Sequence, residues 1–220
     1  MKPKNNEQEN HSSSEQSERE EQLNYLTHGV GLLFSFFGFV TLAVITIQEG
    51  NPWKIISSII YGITLISVYT SSTLYHSASN VKRKRLFRKA DHVSIYLLIA
   101  GSYTPFALVA LPKESGLFIM ITVWLLAIIG IFLKLFHLGR YPIITTTMYL
   151  VMGWLAVLVI KPLGQHLPAW GLQWLIAGGL SYTIGVVFYV RKKPFNHVIW
   201  HLFVLAGSVC HFMSVFSLVS

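Results

Sequence analysis

Ser72 and His76 stand four residues apart near the end of one apolar run, and His197 and His201 repeat that spacing at the start of another. On a helix, residues four apart share a face and lie about 6 Å apart along the axis, so each pair points in one direction. His197 and His201 can chelate one ion from one helix. His76, from another, completes three protein ligands with a fourth position open, as in a catalytic zinc site. Imidazole donors suit zinc, copper, iron or nickel, whereas magnesium and calcium would need several oxygen ligands. Zinc is the expected ion because it needs no redox partner, and it lowers the pKa of water in an open position to ~7. Asp91, expected at the head of the next apolar run, is placed to orient that water and act as general base. Ser72 is placed to hydrogen-bond to it or to help stabilise a developing oxyanion.

Each residue also has a plainer reading. Asp91 suits the N-cap of its own helix, Ser72 can bond back to its own backbone, and a lone HxxxH pair can be interfacial. Ionisable groups inside a membrane are expensive and usually face the bundle interior as functional or paired groups, which favours the joint reading of all five.

The elements that must position these residues follow from hydropathy. Of 220 residues, 53% are hydrophobic and 12% charged, and the mean hydropathy is +0.54. Such a chain cannot cover itself with polar surface, so its solvent is largely lipid. A span of the ~30 Å hydrocarbon core needs about 20 apolar residues. Seven runs qualify: 23 to 47, 53 to 75, 91 to 111, 116 to 136, 142 to 161, 170 to 190 and 196 to 219. The expected fold is therefore an all-α integral membrane protein, a seven-helix bundle over 23 to 220, preceded by a disordered polar tail over 1 to 22 with no signal-peptide core. Pro52, Pro112, Pro142, Pro162, Pro168 and Pro194 fall at or near the gaps. Pro105 lies inside the third run and predicts a kink over 101 to 105, with Ser102 and Thr104 available to the freed carbonyl. Trp53, Trp170 and Trp200 fall near expected interfaces, as an aromatic belt does.

The net charge of +8 is not spread as a nucleic-acid stripe; the cations cluster in the short gaps. With seven spans, all 17 lysines and arginines except Lys54, Lys113 and Lys161 fall on the side of the N-terminal tail. The positive-inside bias places that side, and with it the histidines, in the cytoplasm, and the C-terminus outside. Cys210 is a lone cysteine within an apolar run, so neither a disulfide framework nor a thiolate zinc site is expected.

Four stretches carry a resemblance: ExxNxxTH from Glu21 to His28, SSTLYHS at 71 to 77, DHVSIYLLIAGSYTPF at 91 to 106, and HVIWHLFVLAGSVCHF at 197 to 212. Together they resemble the hemolysin III family, within the superfamily of progestin and adipoQ receptors, whose Ser, His, Asp and HxxxH pattern is shared with alkaline ceramidases. The resemblance covers essentially everything after the tail. It implies that His76, His197 and His201 are zinc ligands and that Asp91 and Ser72 are the polar residues beside the water. It also implies a bacterial cytoplasmic membrane.

The expected activity is zinc-dependent hydrolysis of a lipid amide or ester, with membrane lipid as substrate entering between helices. Two alternatives stay open at the level of sequence: a membrane-damaging or pore-forming hemolysin, and a receptor or membrane-stress sensor with structural zinc. His28 is a candidate to line the same cavity or to be an interfacial histidine at a helix start. Glu21, Asn24 and Thr27 are candidates to cap that helix or form a cytoplasmic lid, with Glu21 and Asn24 also candidates to line the cavity. His92 points about 100° from Asp91 and is not expected to ligate. His211 lies about 21 Å beyond His197 along one helix, too far to reach the same ion. His137 and His166 fall in or beside loops and are expected to be solvated.

Overall fold

The computed structural model describes residues 17–136, 142–191 and 193–220. Most of the expected tail, together with His137, Arg140 and Lys192, lies outside the described residues. All regular structure among the described residues is helical. The elements are α1 (Glu18–Glu49), α2 (Pro52–Ser77), α3 (Val81–Pro105) with a π turn (Phe106–Ala110), α4 (Lys113–Phe136), α5 (Pro142–Trp154), a 3-10 turn (Leu155–Val159), α6 (Ile160–His166), α7 (Ala169–Val190) and α8 (Asn196–Val219). Seven helical segments are long and apolar enough to cross a membrane, the fifth running through α5 and α6. The molecule is a multi-pass membrane protein.

Helix edges differ from those read off hydropathy, and each difference has a local cause. α1 begins at Glu18 because Ser17 and Glu20 close a reciprocal capping box. α3 begins at Val81 because the Asn80 side chain accepts from the Lys82 and Arg83 amides. The basic stretch expected as a loop is therefore the first turns of a helix. Asp91 lies ten residues inside α3 and neither opens nor caps it.

Pro105 is the last residue of α3, yet the helical path does not stop there. It lacks the N–H that would bond the Gly101 carbonyl, and the helix continues in a wider π turn closed by Leu111 N donating to Phe106 O at 2.9 Å. Ser102 and Thr104 donate to the carbonyls of Ile99 and Ala100, not to that of Gly101.

The fifth segment breaks where a tyrosine from α3 enters its backbone ladder. The Tyr103 hydroxyl lies 2.8 and 2.7 Å from the Met152 and Gly153 carbonyls and accepts from the Ala156 amide at 2.8 Å. A side chain inserted into the i→i−4 ladder is a sufficient cause for a break. After it, Pro162 sits in the first turn of α6, where its missing N–H leaves no intrahelical bond unmade, so the segment runs on past the expected end at 161. Replacing Tyr103 with Phe is expected to destabilise the bundle by about 1–3 kcal/mol, because buried backbone groups lose their partner. A lower thermal midpoint in detergent is the readout.

Packing is that of a membrane bundle, with apolar side chains outward and small or polar ones between helices. Phe34, Phe37, Phe132 and Ile143 are exposed to the lipid side, while Ser35, Thr46, Ser57, Ser58 and Thr64 are buried. Gly101 of α3 lies against Thr64 of α2 so closely that a Cβ there would collide with it. α1, α2, α3 and α4 pack in succession, and α8 packs on both α7 and α1, whereas α5 and α6 touch α7 sparsely. Trp53 and Trp170 are exposed as a belt requires. Trp200 instead packs on Tyr189, ring centroids 5.2 Å apart, and lines a large open cavity.

Candidate metal centre

His76 comes from the last turns of α2, and His197 and His201 from the first turns of α8. Each offers a ring nitrogen, and the three nitrogens all lie within 4.8 Å of one another. His76 and His201 are 5% and 2% exposed. His76 Nε2 and His201 Nδ1 are buried and have no hydrogen-bond partner, as expected of lone pairs kept for an ion. Among the described residues no fourth His, Cys, Asp or Glu joins the group. The three histidines could form a metal site, and the donor set fits an ion that takes neutral imidazole.

The four-residue spacing does on each helix what the sequence implies. Ser72 lies one turn before His76 and is buried, with its hydroxyl lacking a hydrogen bond of normal geometry. The Asp91 carboxylate lies beside that hydroxyl and faces His76. Asp91, the three histidines and His28 line one cavity of about 1670 Å³. Much of its wall is apolar, including Leu98, Phe106, Leu163, Leu175 and Val204.

Of the residues named around α1, Glu21 and His28 line the cavity, and Asn24 is buried without being among its lining residues. His28 stacks on His201 with ring centroids 3.6 Å apart and planes 15° apart. Stacked rings hold their in-plane lone pairs in parallel layers, so His28 supports His201 and does not converge on the same point. Its other neighbour is Tyr69, edge-on at 5.1 Å. Glu21 Oε2 lies 2.6 Å from His76 Nδ1, and Glu21 Oε1 accepts from Lys84 Nζ at 2.8 Å. The Asn24 backbone carbonyl is within hydrogen-bonding reach of His201.

Of the other described histidines, His92 and His166 bond within their own helices, and His211 packs on another ring. His92 Nδ1 is 2.8 Å from the Arg88 carbonyl, and His166 Nδ1 is 2.9 Å from that of Pro162. His211 lies edge-on to Tyr182 at 5.3 Å, and the Tyr182 hydroxyl is 2.8 Å from Ser208 Oγ. These three residues form a second polar patch further along the bundle, and Tyr182 and His211 line the same cavity as the three convergent histidines.

Three residues near the site escape sequence reasoning. Glu20 accepts from the Phe195 amide just before α8, and Lys84 pairs with Glu21. Lys134, counted among the loop charges, is 5% exposed and lies 5.8 Å from the Tyr149 ring centroid. A cation inside the apolar 116 to 136 run was the one signal available for it.

A family model described as Haemolysin-III related matches residues 16–212. The chain is 43% identical over 198 residues to a "Hemolysin-3 homolog" of Bacillus subtilis, covering 90% of this chain and 93% of the relative. It is 41% identical over 198 residues to a "Hemolysin-3" of Bacillus cereus, covering 90% of each. It is also similar to the human "Monocyte to macrophage differentiation factor", 33% identical over 171 residues, covering 74% of this chain and 70% of the relative. The chain belongs to the haemolysin-III related family.

Proposed function

We propose that this haemolysin-III related chain is a zinc-dependent hydrolase of a lipid amide or ester, held in the bacterial cell membrane with its metal centre on the cytoplasmic side. One observation carries the reading: three convergent histidines, with no fourth protein ligand among the described residues, share a lipid-sized, largely apolar cavity with a carboxylate. Structural zinc sites are normally closed by four protein ligands, and catalytic ones keep a position open. The distribution of lysine and arginine supports the cytoplasmic orientation.

When bound, zinc supplies a water activated near neutral pH and polarises the carbonyl under attack. The chain's own residues would do the rest. His76, His197 and His201 hold the ion. Asp91 takes the proton from the attacking water and returns it to the leaving amine or alcohol, as a positioned general base and acid. Ser72 orients water or donates to the carbonyl oxygen as it gains charge. The apolar wall holds the acyl chain and fixes the carbonyl's place. The sparse packing of α5 and α6 on α7 supports entry of a chain from the lipid on that side.

Purified protein in lipid nanodiscs, given N-acyl and O-acyl lipids, is expected to release fatty acid detectable by mass spectrometry. Release should stop on chelation and return with added zinc. No release from any amide or ester lipid by zinc-loaded protein would overturn the proposal.

The names of the two Bacillus relatives favour a second reading, direct membrane damage. Conductance across planar bilayers from purified protein, unchanged by chelation, would establish it in place of hydrolysis.

A further inference from the structure

The geometry points to the first three turns of α1 as the outer shell of the metal centre, with Glu21 as a positioning residue that presents His76 to the ion. This inference rests on the metal-site reading above and goes beyond it, because none of these α1 groups is a ligand.

Each ligand is held from α1. Glu21 lies 55 residues before His76, and its Oε2 is 2.6 Å from His76 Nδ1. A carboxylate at that distance takes the N–H of Nδ1, which leaves the lone pair on Nε2, the buried nitrogen with no partner. The imidazole can supply a metal only from the nitrogen that carries no proton, so Glu21 selects the donor atom. The second oxygen of Glu21 is tied to Lys84 Nζ at 2.8 Å, which fixes the carboxylate's rotation.

Asn24, one turn on, turns its backbone carbonyl to His201. His28, a further turn on, presses its ring against the face of His201. The residues at 21, 24 and 28 follow helical spacing, so all three face the site from one stripe of α1.

His197 is held less directly. Phe195, two residues earlier, has φ 60, a left-handed conformation unusual for a non-glycine residue. Its amide donates to Glu20 Oε1. Glu20 thereby pins the turn that starts α8 and aims its first residues.

Zinc affinity, measured by chelator competition on the full-length protein, is the primary test. Glu21→Ala is expected to weaken zinc by about 10–100-fold, the usual cost of losing an outer-shell partner. Glu21→Gln, which keeps an oxygen for the N–H, is expected to fall between wild type and Glu21→Ala. Glu18→Ala, a charge change in the same turn with no histidine contact, is expected to leave affinity unchanged. A readout independent of affinity is the tautomer of His76 by nitrogen-15 NMR of the metal-free protein. Wild type is expected to carry the proton on Nδ1, and Glu21→Ala to show a mixture.

Equal affinity in wild type and Glu21→Ala, or an equal loss in Glu18→Ala, would overturn the inference while leaving the metal site standing. Wild type that takes up no zinc would overturn the metal-site reading and this one with it. If Glu21→Ala fails to fold, Glu21→Gln carries the decision by the same two measurements.

Discussion

His201→Ala is expected to weaken zinc binding by more than about 100-fold, beyond the ~10–100-fold range of outer-shell losses, because a ligand itself is removed. His201 sits at the centre of the arrangement, with ring centroids 4.6 Å from His197, 5.0 Å from His76 and 3.6 Å from His28. Its removal leaves two ligands on different helices, with no chelating pair on either. His211→Ala removes a histidine from the same helix that lies beside Tyr182 and outside the three convergent donors, and is expected to keep wild-type zinc content. Metal analysis after dialysis against a graded chelator separates the two. Retention of zinc by His201→Ala would show that the three nitrogens do not act together.

Asp91→Asn has the second large effect and a different signature. Asparagine keeps the shape and a hydrogen-bonding oxygen but cannot take a proton from water. Hydrolysis is expected to fall by about 10²–10⁴-fold, the usual contribution of a positioned general base. Zinc content is expected to be unchanged, because Asp91 is outside the group of ligand nitrogens. Fatty-acid release and metal content measured on one preparation test both halves. Equal turnover in wild type and variant would remove Asp91 from the chemistry, and loss of zinc would make it a support of the site instead.

The seven spans were legible because a lipid-facing helix must be apolar over its whole length, and that demand is written in every segment from 23 onward. Their edges were less so. Hydropathy marks where a chain leaves the hydrocarbon, not where its helix stops, so the polar first turns of α1 and α3 read as tail and loop. The capping signals at Ser17 and Asn80 were present, but they mark hydrogen-bonded turns that solvated charge does not contradict. The break at Leu155–Val159 left no local trace, since its cause is Tyr103 from another helix.

The site divides in the same way. Four-residue spacing puts Ser72 with His76, and His197 with His201, on common helical faces whatever the tertiary structure. Glu21 and His28 stood out only within a motif; what each touches depends on how α1 lies against α2 and α8. Glu20 and Lys84 gave no signal, because an acidic residue in a first helical turn and a lysine in a basic stretch are ordinary until the neighbouring helices are in place.

The bond from Glu20 to the Phe195 amide joins residues 175 positions apart. At about 5–20 residues per second, the ribosome needs roughly 10–35 seconds to travel between them. During that interval Glu20, Glu21 and His76 enter the membrane with no α8 to meet, so the centre cannot take its metal in three-histidine form. Metal uptake by the proposed centre would thus be timed by synthesis: it would follow insertion of the last helix, and a nascent chain stalled before α8 would carry the pieces of the centre without their convergence.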